Sequence, residues 1–183
     1  MQSLIRKAFL VVIAALGAGC GGETPSASQS VPSLDACALL TAADASEVFG
    51  AAAAEVESYT KMDRVDEQMG AAISNCLYAR DGSFETLSIV VNYQRAENPA
   101  TFEALRAESE ASAGQLAEMT LELLDSSEPL DGPGDFAYWN DDVSTLTVYA
   151  RRHYVIAINA DSGDSGSARE RATDAAERIV NRL

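Results

Sequence analysis

Three cysteines and one histidine are the residues of this 183-residue chain best suited to covalent or metal chemistry. Cys37 and Cys76 form an even pair once Cys20 is set aside, and such a pair in an exported protein predicts one disulfide bond. A metal site is a weaker alternative because the pair lacks CxxC spacing and the only histidine, His153, is distant. A nucleophilic cysteine would also depend on His153 as its only conventional base. The pattern favours the disulfide, and no metal or cofactor is predicted.

A short motif near the C-terminus, Gly163-Asp164-Ser165-Gly166, has the residues that surround the nucleophilic serine of chymotrypsin-like proteases. Those enzymes carry their catalytic histidine far upstream, on another part of a double barrel, whereas His153 lies close to the motif. A loop that leads into a helix explains these residues fully. The 28 acidic residues guarantee chance pairs of carboxylates, so they assign no glycosidase-type pair. We therefore predict that the protein is not an enzyme.

Aspartates in two loops suggest calcium binding as a further candidate. Asp161 and Asp164 are separated by small residues, but an EF-hand loop requires a glutamate at its twelfth position, where this chain has Ala172. Irregular calcium binding by this loop, or by Asp141 and Asp142, stays open as an alternative to solvated turn residues.

The overall charge excludes one class of partner. The chain has 13 Lys and Arg against 28 Asp and Glu, which gives a formal net charge of −15. Proteins that bind nucleic acid through its phosphates need clustered basic residues, so we expect no nucleic-acid partner. Because 47% of the residues are hydrophobic and 22% charged, most of the chain should form a packed globular domain.

The N-terminus has the pattern of an export signal. Arg6 and Lys7 precede an apolar run over residues 8–16, which is too short to span a bilayer as a mature helix. We therefore predict that residues 1–19 are a signal peptide.

The sequence Leu16-Gly17-Ala18-Gly19-Cys20 resembles a bacterial lipobox, in which the cleaved chain begins at a lipid-carrying cysteine. The usual leucine stands three residues before the cysteine, where this chain has Gly17. An ordinary secretory cleavage nearby is the alternative. We predict lipidation of Cys20 by acyl chains such as palmitate, which would anchor the exported protein to the cell membrane, facing outside the cytoplasm.

Residues 20–33 are predicted to be a flexible tether, because after Cys20 they are mainly small and polar. Removing residues 1–19 removes two basic residues and no acidic ones, so the mature chain is still more acidic. Such a surface is repelled by anionic lipids, and the anchor would have to hold the protein at the membrane.

The remaining 150 residues, 34–183, are predicted to form a single domain. In its first half we predict a helix over residues 41–50, capped by Thr41 and ended by Gly50. A short strand and an exposed loop follow over 51–70, and then strands over 75–79 and 84–93 joined by an Asp81-Gly82 turn.

The second half begins with a predicted helix from Asn98 to about residue 113. Residues 116–124 fit a strand or a helix equally well, and residues 128–135 form a loop. Three strands follow over 136–139, 144–150 and 154–160, then a loop over 161–166 and a helix whose capping box is Ser167 and Glu170. These elements predict an α+β fold, with an antiparallel sheet packed on one side by about three helices.

Four segments together resemble a family of uncharacterised bacterial lipoproteins common in actinobacteria. They are Asp35-Ala36-Cys37-Ala38-Leu39-Leu40-Thr41, Gly50, Asn75-Cys76-Leu77-Tyr78 and Gly132-Pro133-Gly134-Asp135-Phe136-Ala137. The chain departs from the family pattern at Ala36, where proline is common, and at Pro133 in the Gly-x-Gly-Asp turn. The resemblance covers residues 35–183. It implies a lipoprotein with a paired cysteine and an α+β domain, and it implies no catalytic residues.

One stretch of the second half is a candidate partner surface, formed by aromatic and basic residues on successive strands and their turn. Its members are Trp139, Tyr149, Arg151, Arg152, His153 and Tyr154. Basic and aromatic residues are typical of contacts with acidic or apolar partners. The alternatives are a solvated turn for the basic residues and the core for the aromatic ones.

Without a catalytic constellation, the sequence favours a membrane-anchored envelope lipoprotein whose domain binds an envelope protein or a small apolar ligand. A second hypothesis is a carrier or chaperone for lipid or another apolar molecule, which would need a cavity between the sheet and its helices. An envelope hydrolase that uses scattered carboxylates ranks last.

Overall fold

The computed structural model describes residues 30–52, 55–161 and 165–183, with the side chains of residues 60–62, 165 and 166 left aside. In chain order its elements are α1 (Ala36–Leu39), α2 (Ala42–Phe49), β1 (Val56–Asp66), β2 (Ala71–Arg80), β3 (Thr86–Gln94), α3 (Phe102–Ala111), α4 (Gln115–Asp125), β4 (Ser127–Leu130), β5 (Phe136–Asn140), β6 (Thr145–Ala150), β7 (Tyr154–Asp161) and α5 (Ser165–Arg182).

The strands form one antiparallel sheet in the order β1-β2-β3-β7-β6-β5-β4. Each of the two halves, β1–β3 and β4–β7, is a meander of neighbouring strands, and β3 joins the halves by pairing with β7. The predicted α+β class with an antiparallel sheet in a single domain is confirmed.

The main core lies on one face of the sheet, called the inner face here. It carries the alternating apolar residues of the central strands, for example Ile89 of β3 and its partner Ile158 of β7. Helices α1, α2 and α5 pack on this face. Small and apolar residues of α5 meet the sheet: Ala172, Ala175 and Ile179 are fully buried.

The opposite, outer face is covered over only part of its width. Helices α3 and α4 pack on the β4–β7 half, where Leu124 and Phe102 contact Tyr138 and Tyr149. The predicted helices that correspond to α2 and α5 thus lie on one side of the sheet. The predicted helix that corresponds to α3 packs on the other side, together with α4. Over β1–β3 the outward side chains of β2 and β3 stay half-exposed.

The predicted disulfide between Cys37 and Cys76 is confirmed. Its Cα atoms are 5.2 Å apart, and it joins α1 to the middle of β2. The backbone N–H of Ala36 donates to Ser74 Oγ at 2.8 Å beside it, and the buried Tyr78 hydroxyl donates to the carbonyl of Leu40. The N-terminal helices are thus fixed to the first half of the sheet.

Helix boundaries test the capping predictions directly. Thr41 caps α2, and Gly50 ends that helix in the left-handed conformation, as predicted. Asp44 completes a capping box with Thr41. The predicted start of this helix at Asn98 is wrong. The Thr101 hydroxyl caps α3 by accepting from the Ala104 N–H at 3.1 Å, and the helix begins after Thr101. The capping box of Ser167 and Glu170 is also wrong, because α5 begins at Ser165 and Ser167 lies inside it.

Three segments differ from their predicted structure. The predicted loop within residues 51–70 is mostly the long edge strand β1, which pairs with β2 along its whole length. Residues 116–124, left open between strand and helix, lie in α4. The predicted loop at 128–135 begins with β4, a short strand that forms the other edge of the sheet.

The arginines on α5 tie this helix to the rest of the domain. Arg178 contacts Glu47 at 2.7 Å, Arg182 contacts Asp44 at 2.6 Å, and Arg171 contacts Glu85 at 2.7 Å. The first two ion pairs join α5 to α2, and the third joins α5 to the residue that precedes β3.

The packed domain includes part of the predicted tether, because Val31 is buried in the main core. The predicted signal peptide and the predicted lipidation site Cys20 lie outside the described residues, as does Asp164. Among the described helices none is long and apolar enough to cross a membrane.

Candidate functional site

The six residues of the predicted partner surface do not lie on one surface. Trp139 points to the inner face, where it is 1% exposed, and its Nε1–H donates to Asp141 Oδ1 at 2.6 Å. The prediction that it contacts a partner is therefore wrong, and the core alternative is right: alternation along β5 places Trp139 beneath the helices.

Tyr149 lies on the outer face but is also buried, because α3 and α4 cover it. It is 9% exposed and stacks on Phe136 with ring centroids 4.3 Å apart. Burial raises the pKa of Tyr149 and of its neighbour Tyr138 above the ordinary tyrosine value. Tyr149 is thus a core residue of the covered half. Tyr154 points to the inner face and lies 5.3 Å from Tyr93.

The basic corner between β6 and β7 is used largely to hold the chain together. Arg151 and Arg152 both have positive φ, at 48° and 62°. The backbone N–H of Arg152 donates to Asp135 at 2.8 Å, and its guanidinium contacts Glu97 at 2.5 Å. His153 Nδ1 lies 3.1 Å from the carbonyl of Gln94. These contacts favour the alternative of a structured, solvated turn.

The structure instead places an open groove on the uncovered part of the outer face. Its volume is about 470 Å³, and it lies at the end of the sheet where β1 turns into β2. Its position follows from the register: Arg64, Ile73 and Asn92 stand side by side on β1, β2 and β3. The next row, one step closer to the turn, is Asp66, Ala71 and Gln94.

The β1–β2 turn forms one wall of the groove, and Arg95 crosses it. The Asp66 carboxylate accepts from the backbone N–H groups of Gln68 and Met69 at 3.1 and 3.0 Å, which holds the turn. Gly70 has φ of +66°, and its carbonyl accepts from Arg95 N–H at 2.7 Å. A Cβ at Gly70 would lie 2.9 Å from Arg95 Cβ and 3.2 Å from Arg95 Cζ, so glycine lets the Arg95 side chain pass.

Two guanidinium groups line the groove in an otherwise acidic protein. The Arg64 side chain is 72% exposed and lies 3.9 Å from Asp66. Arg95 lies 3.7 Å from Glu67, whose other contact is the backbone N–H of Val31 at 3.4 Å. Exposed ion pairs at such distances are worth little energetically.

The groove combines an apolar floor with polar side chains that converge on it. Ala71 and Ile73 supply the floor, and the amides of Asn92 and Gln94 can donate and accept hydrogen bonds beside it. Such a mixture, in a volume of a few hundred Å³, is typical of sites for small ligands.

The sequence pattern pointed to none of the groove residues, although one usable signal was present. The alternation of β3 placed Asn92 on the face opposite Leu87 and Ile89. Residues 56–66 were predicted to be mostly loop. The prediction therefore had no strand beside β2 that would bring Arg64 next to Ile73.

Within the described residues, no group of three or more His, Cys, Asp or Glu side chains is arranged to hold a metal ion. Asp141, one of the calcium candidates, accepts the Trp139 indole N–H instead.

Comparison of the chain with family models, curated proteins and solved structures finds no match. The resemblance to the actinobacterial lipoproteins stays a prediction.

Proposed function

We propose that this protein is an exported lipoprotein, anchored through Cys20, whose domain binds a small ligand without catalysis in the groove on the outer face. The observation that carries the proposal is the groove itself, with its apolar floor, its two amides and its two arginines. The anchor would keep this site at the membrane surface, outside the cytoplasm.

The groove is built on a rigid part of the molecule. Its floor comes from three neighbouring strands that are paired in register at the groove. The disulfide joins the middle strand, β2, to α1 on the other face of the sheet. Binding sites on strands hold their side chains more accurately than sites on loops. The site therefore needs little ordering when a ligand enters, which favours affinity.

The groove is better suited to binding than to acid–base or nucleophilic catalysis. Its titratable side chains are Arg64, Asp66, Arg95 and Tyr93. Tyr93 is buried, with 7% of its surface exposed. Arginine stays protonated at all relevant pH values, and Asp66 already accepts two backbone hydrogen bonds of the turn. The side chains suit recognition and orientation of a ligand.

A carrier of lipid remains compatible with the groove, but its expected cavity between sheet and helices is not favoured. Ala168, Ala172 and Ala176 of α5 lie against the sheet with at most 2% exposure, so helix and sheet are in direct contact there. An apolar cargo would have to use the outer groove.

The disulfide supports the export part of the proposal, because such bonds persist mainly outside the reducing cytoplasm. The anchor is tested by fractionating cells that express the full chain with Cys20→Ser. We expect the variant in the soluble extracytoplasmic fraction and the wild type in the membrane fraction. Continued membrane attachment of the variant would remove the anchor from the proposal.

The binding part is tested by native mass spectrometry of the Cys20→Ser chain, exported by its host and recovered without detergent. We expect an added mass that disappears on denaturation. The further substitution Ile73→Arg, which places a charged side chain on the groove floor, should abolish it. The control is Leu116→Arg on the exposed side of α4, which should retain it. An added mass unaffected by Ile73→Arg would place the ligand elsewhere, and absence of any added mass would contradict ligand retention.

A further inference from the structure

We infer that one end of the sheet, called the near end here, faces the lipid bilayer, that Met69 docks there among the head groups, and that the charge of this end sets the orientation. This inference rests on the proposed anchor at Cys20 and adds the surface through which the protein meets its membrane. The near end comprises the β1–β2 turn (67–70), the segment that follows β3 and the β6–β7 turn (151–153). The far end comprises the β2–β3 turn (81–85) and the β5–β6 turn (141–144).

The chain joins the packed domain at the near end. Val31 is buried, and its backbone N–H donates to the carboxylate of Glu67 in the β1–β2 turn at 3.4 Å. From there the chain follows β2 towards the far end, and Cys37 is bonded to Cys76 in the middle of that strand. An anchor that precedes Val31 is therefore attached beside the β1–β2 turn.

The length of chain between the anchor and the domain favours the near end as the membrane-facing one. Val31 follows Cys20 by 11 residues, which reach at most about 40 Å when fully extended. Strand β2, from Ala71 to Arg80, is about 30 Å long at a rise of about 3.3 Å per residue. With the far end on the bilayer, the linking segment would have to stretch over most of its reach, at a cost in conformational entropy. With the near end on the bilayer it needs no stretching.

The near end offers side chains suited to a membrane interface. Met69 is 80% exposed, and its backbone N–H is held by Asp66 at 3.0 Å, so the turn presents this apolar side chain to the outside. Tyr154 is half-exposed at the same end of the sheet, opposite Tyr93, and tyrosine is enriched at the interface between membrane and water. One inserted side chain binds weakly alone, but the anchor makes the contact intramolecular, so that a weak contact suffices.

Charge separates the two ends, whereas apolar exposure alone does not, because Phe84 at the far end is 98% exposed. In the turns and strand ends of the near end, arginines and carboxylates nearly balance: Arg64, Arg95, Arg151 and Arg152 lie with Asp66, Glu67, Glu97, Asp131 and Asp135. Among the described residues of the far end, carboxylates outnumber arginines: Arg80 and Arg171 lie with Glu55, Asp81, Glu85, Asp141, Asp142 and Asp161.

This asymmetry orients the domain at an anionic membrane. Carboxylates are repelled by anionic lipids, and a charge-balanced surface is repelled least. Because salt limits the repulsion to about 8 Å at physiological ionic strength, the acidic far end escapes it when it points away from the bilayer. Met69 also lines the groove, so this orientation places the groove beside the lipid head groups, from which a ligand can enter it.

The test measures which end of the anchored protein touches lipid. Two variants of the full lipidated chain, Met69→Cys and Phe84→Cys, each receive one thiol-linked fluorophore and enter vesicles of phosphatidylcholine and phosphatidylglycerol in equal amounts. Some lipids carry a nitroxide on the head group, which quenches fluorescence only at contact range. We expect quenching at position 69 and none at position 84. The positions are matched as exposed turn residues, and the disulfide keeps Cys37 and Cys76 from being labelled.

The charge of the near end is tested in the labelled Met69→Cys chain. Arg151→Asn with Arg152→Asn removes two positive charges, and asparagine tolerates the positive φ of both positions. We expect quenching to be lost on the anionic vesicles and retained on vesicles of phosphatidylcholine alone. The matched control, Arg106→Gln with Arg169→Gln, removes the same charge from partly exposed arginines outside the near end and should retain quenching on both. Thermal unfolding verifies that both double variants fold.

The outcomes separate the inference from the proposed function. Quenching at position 84 as strong as at position 69, or at neither position, would overturn the inference and leave the anchor and the groove in place. Equal losses in the two double variants would also overturn it, because overall charge rather than the near end would then set the contact. If the wild-type chain does not attach to vesicles, the anchor is wrong and the inference with it, whereas ligand binding in the groove is decided separately by the mass-spectrometric adduct.

Discussion

The two halves of the outer sheet face differ in what covers them. On the β4–β7 half, α3 and α4 bury Tyr138 and Tyr149 beneath Leu124. On the β1–β3 half, Ile73 and Leu77 occupy equivalent outward positions but stay half-exposed. A single sheet thus has a second core on one half of its outer face and an accessible apolar strip on the other.

The difference follows from how the strands are connected. Strands β1, β2 and β3 follow one another through short turns, whereas α3 and α4 stand between β3 and β4. This helical pair packs chiefly on β4 and β5, the strands that follow it. The covered half of the outer face therefore contributes to the stability of the domain, and the open half stays accessible to a ligand.

The largest effect is expected from a comparison of two leucines on the outer side of the sheet, Leu124 of α4 and Leu77 of β2. Leu124→Ala removes a side chain that is 1% exposed and packed on two tyrosines. It should reduce the free energy of unfolding by about 2–5 kcal/mol. Leu77→Ala, on the open half, should cost about 1 kcal/mol or less, because the side chain is already partly solvated. Urea unfolding of the two variants measures both values.

Equal losses in the two leucine variants would contradict the comparison. That result would mean that the outer face of β2 is as well packed in solution as the face beneath α4. A binding site on the open half would then have no accessible floor.

A smaller effect concerns the two turns of the open half. Gly70 and Gly82 both have left-handed backbones, with φ of +66° and +72°, so alanine costs about 1 kcal/mol at either position. At Gly82 an added Cβ meets nothing within 4 Å, whereas at Gly70 it meets Arg95 at 2.9 Å. We expect Gly70→Ala to cost about 1 kcal/mol more than Gly82→Ala.

Unfolding in urea gives the difference in stability between the two glycine variants, and native mass spectrometry of the bound ligand gives the effect on the groove. Gly70→Ala should weaken binding because it displaces Arg95, and Gly82→Ala should not. Two variants with the same stability and the same affinity would show that the Arg95 side chain does not depend on Gly70.

Features that depend on neighbouring residues were predictable from the sequence. The Thr41 cap of α2, the alternation of β3 and the alanine face of α5 are each encoded within a few turns or strand residues. The disulfide could be predicted from the number of cysteines together with the predicted export signal. Each of these signals is local or compositional, so one sequence suffices.

The groove depends on tertiary arrangement, which the local pattern does not contain. β1 is an edge strand with charged residues such as Asp63 and Arg64, so its apolar alternation is weak and it resembles a loop. Which face α3 and α4 would cover is decided by packing against Tyr138 and Tyr149. The burial of Trp139 likewise follows from which strand face meets the helices.

The smallest effect is expected on the inner face of the sheet, where α2 contacts α5. The Asp44 side chain is 13% exposed and contacts Arg182 at 2.6 Å and Arg178 at 3.4 Å. The hydrogen bond from Arg182, together with those from Thr41, holds the pKa of Asp44 well below its ordinary value. A lowered pKa in the folded state stabilises the protein above the unfolded-state pKa of about 3.9, and this contribution is lost as the pH falls below it.

The wild type should therefore lose more stability than Asp44→Asn when the pH is lowered from 7 to 3. We expect the variant to be about 1 kcal/mol less stable at pH 7, the usual value of a lost helix cap, and the two unfolding curves to approach each other in acid. The control is Asp125→Asn, which removes a more exposed partner of Arg106 on the covered half and should change stability by less than about 1 kcal/mol. A constant gap between wild type and Asp44→Asn from pH 7 to pH 3 would mean that the charge of Asp44 contributes nothing and that the helix cap alone holds α2 in place.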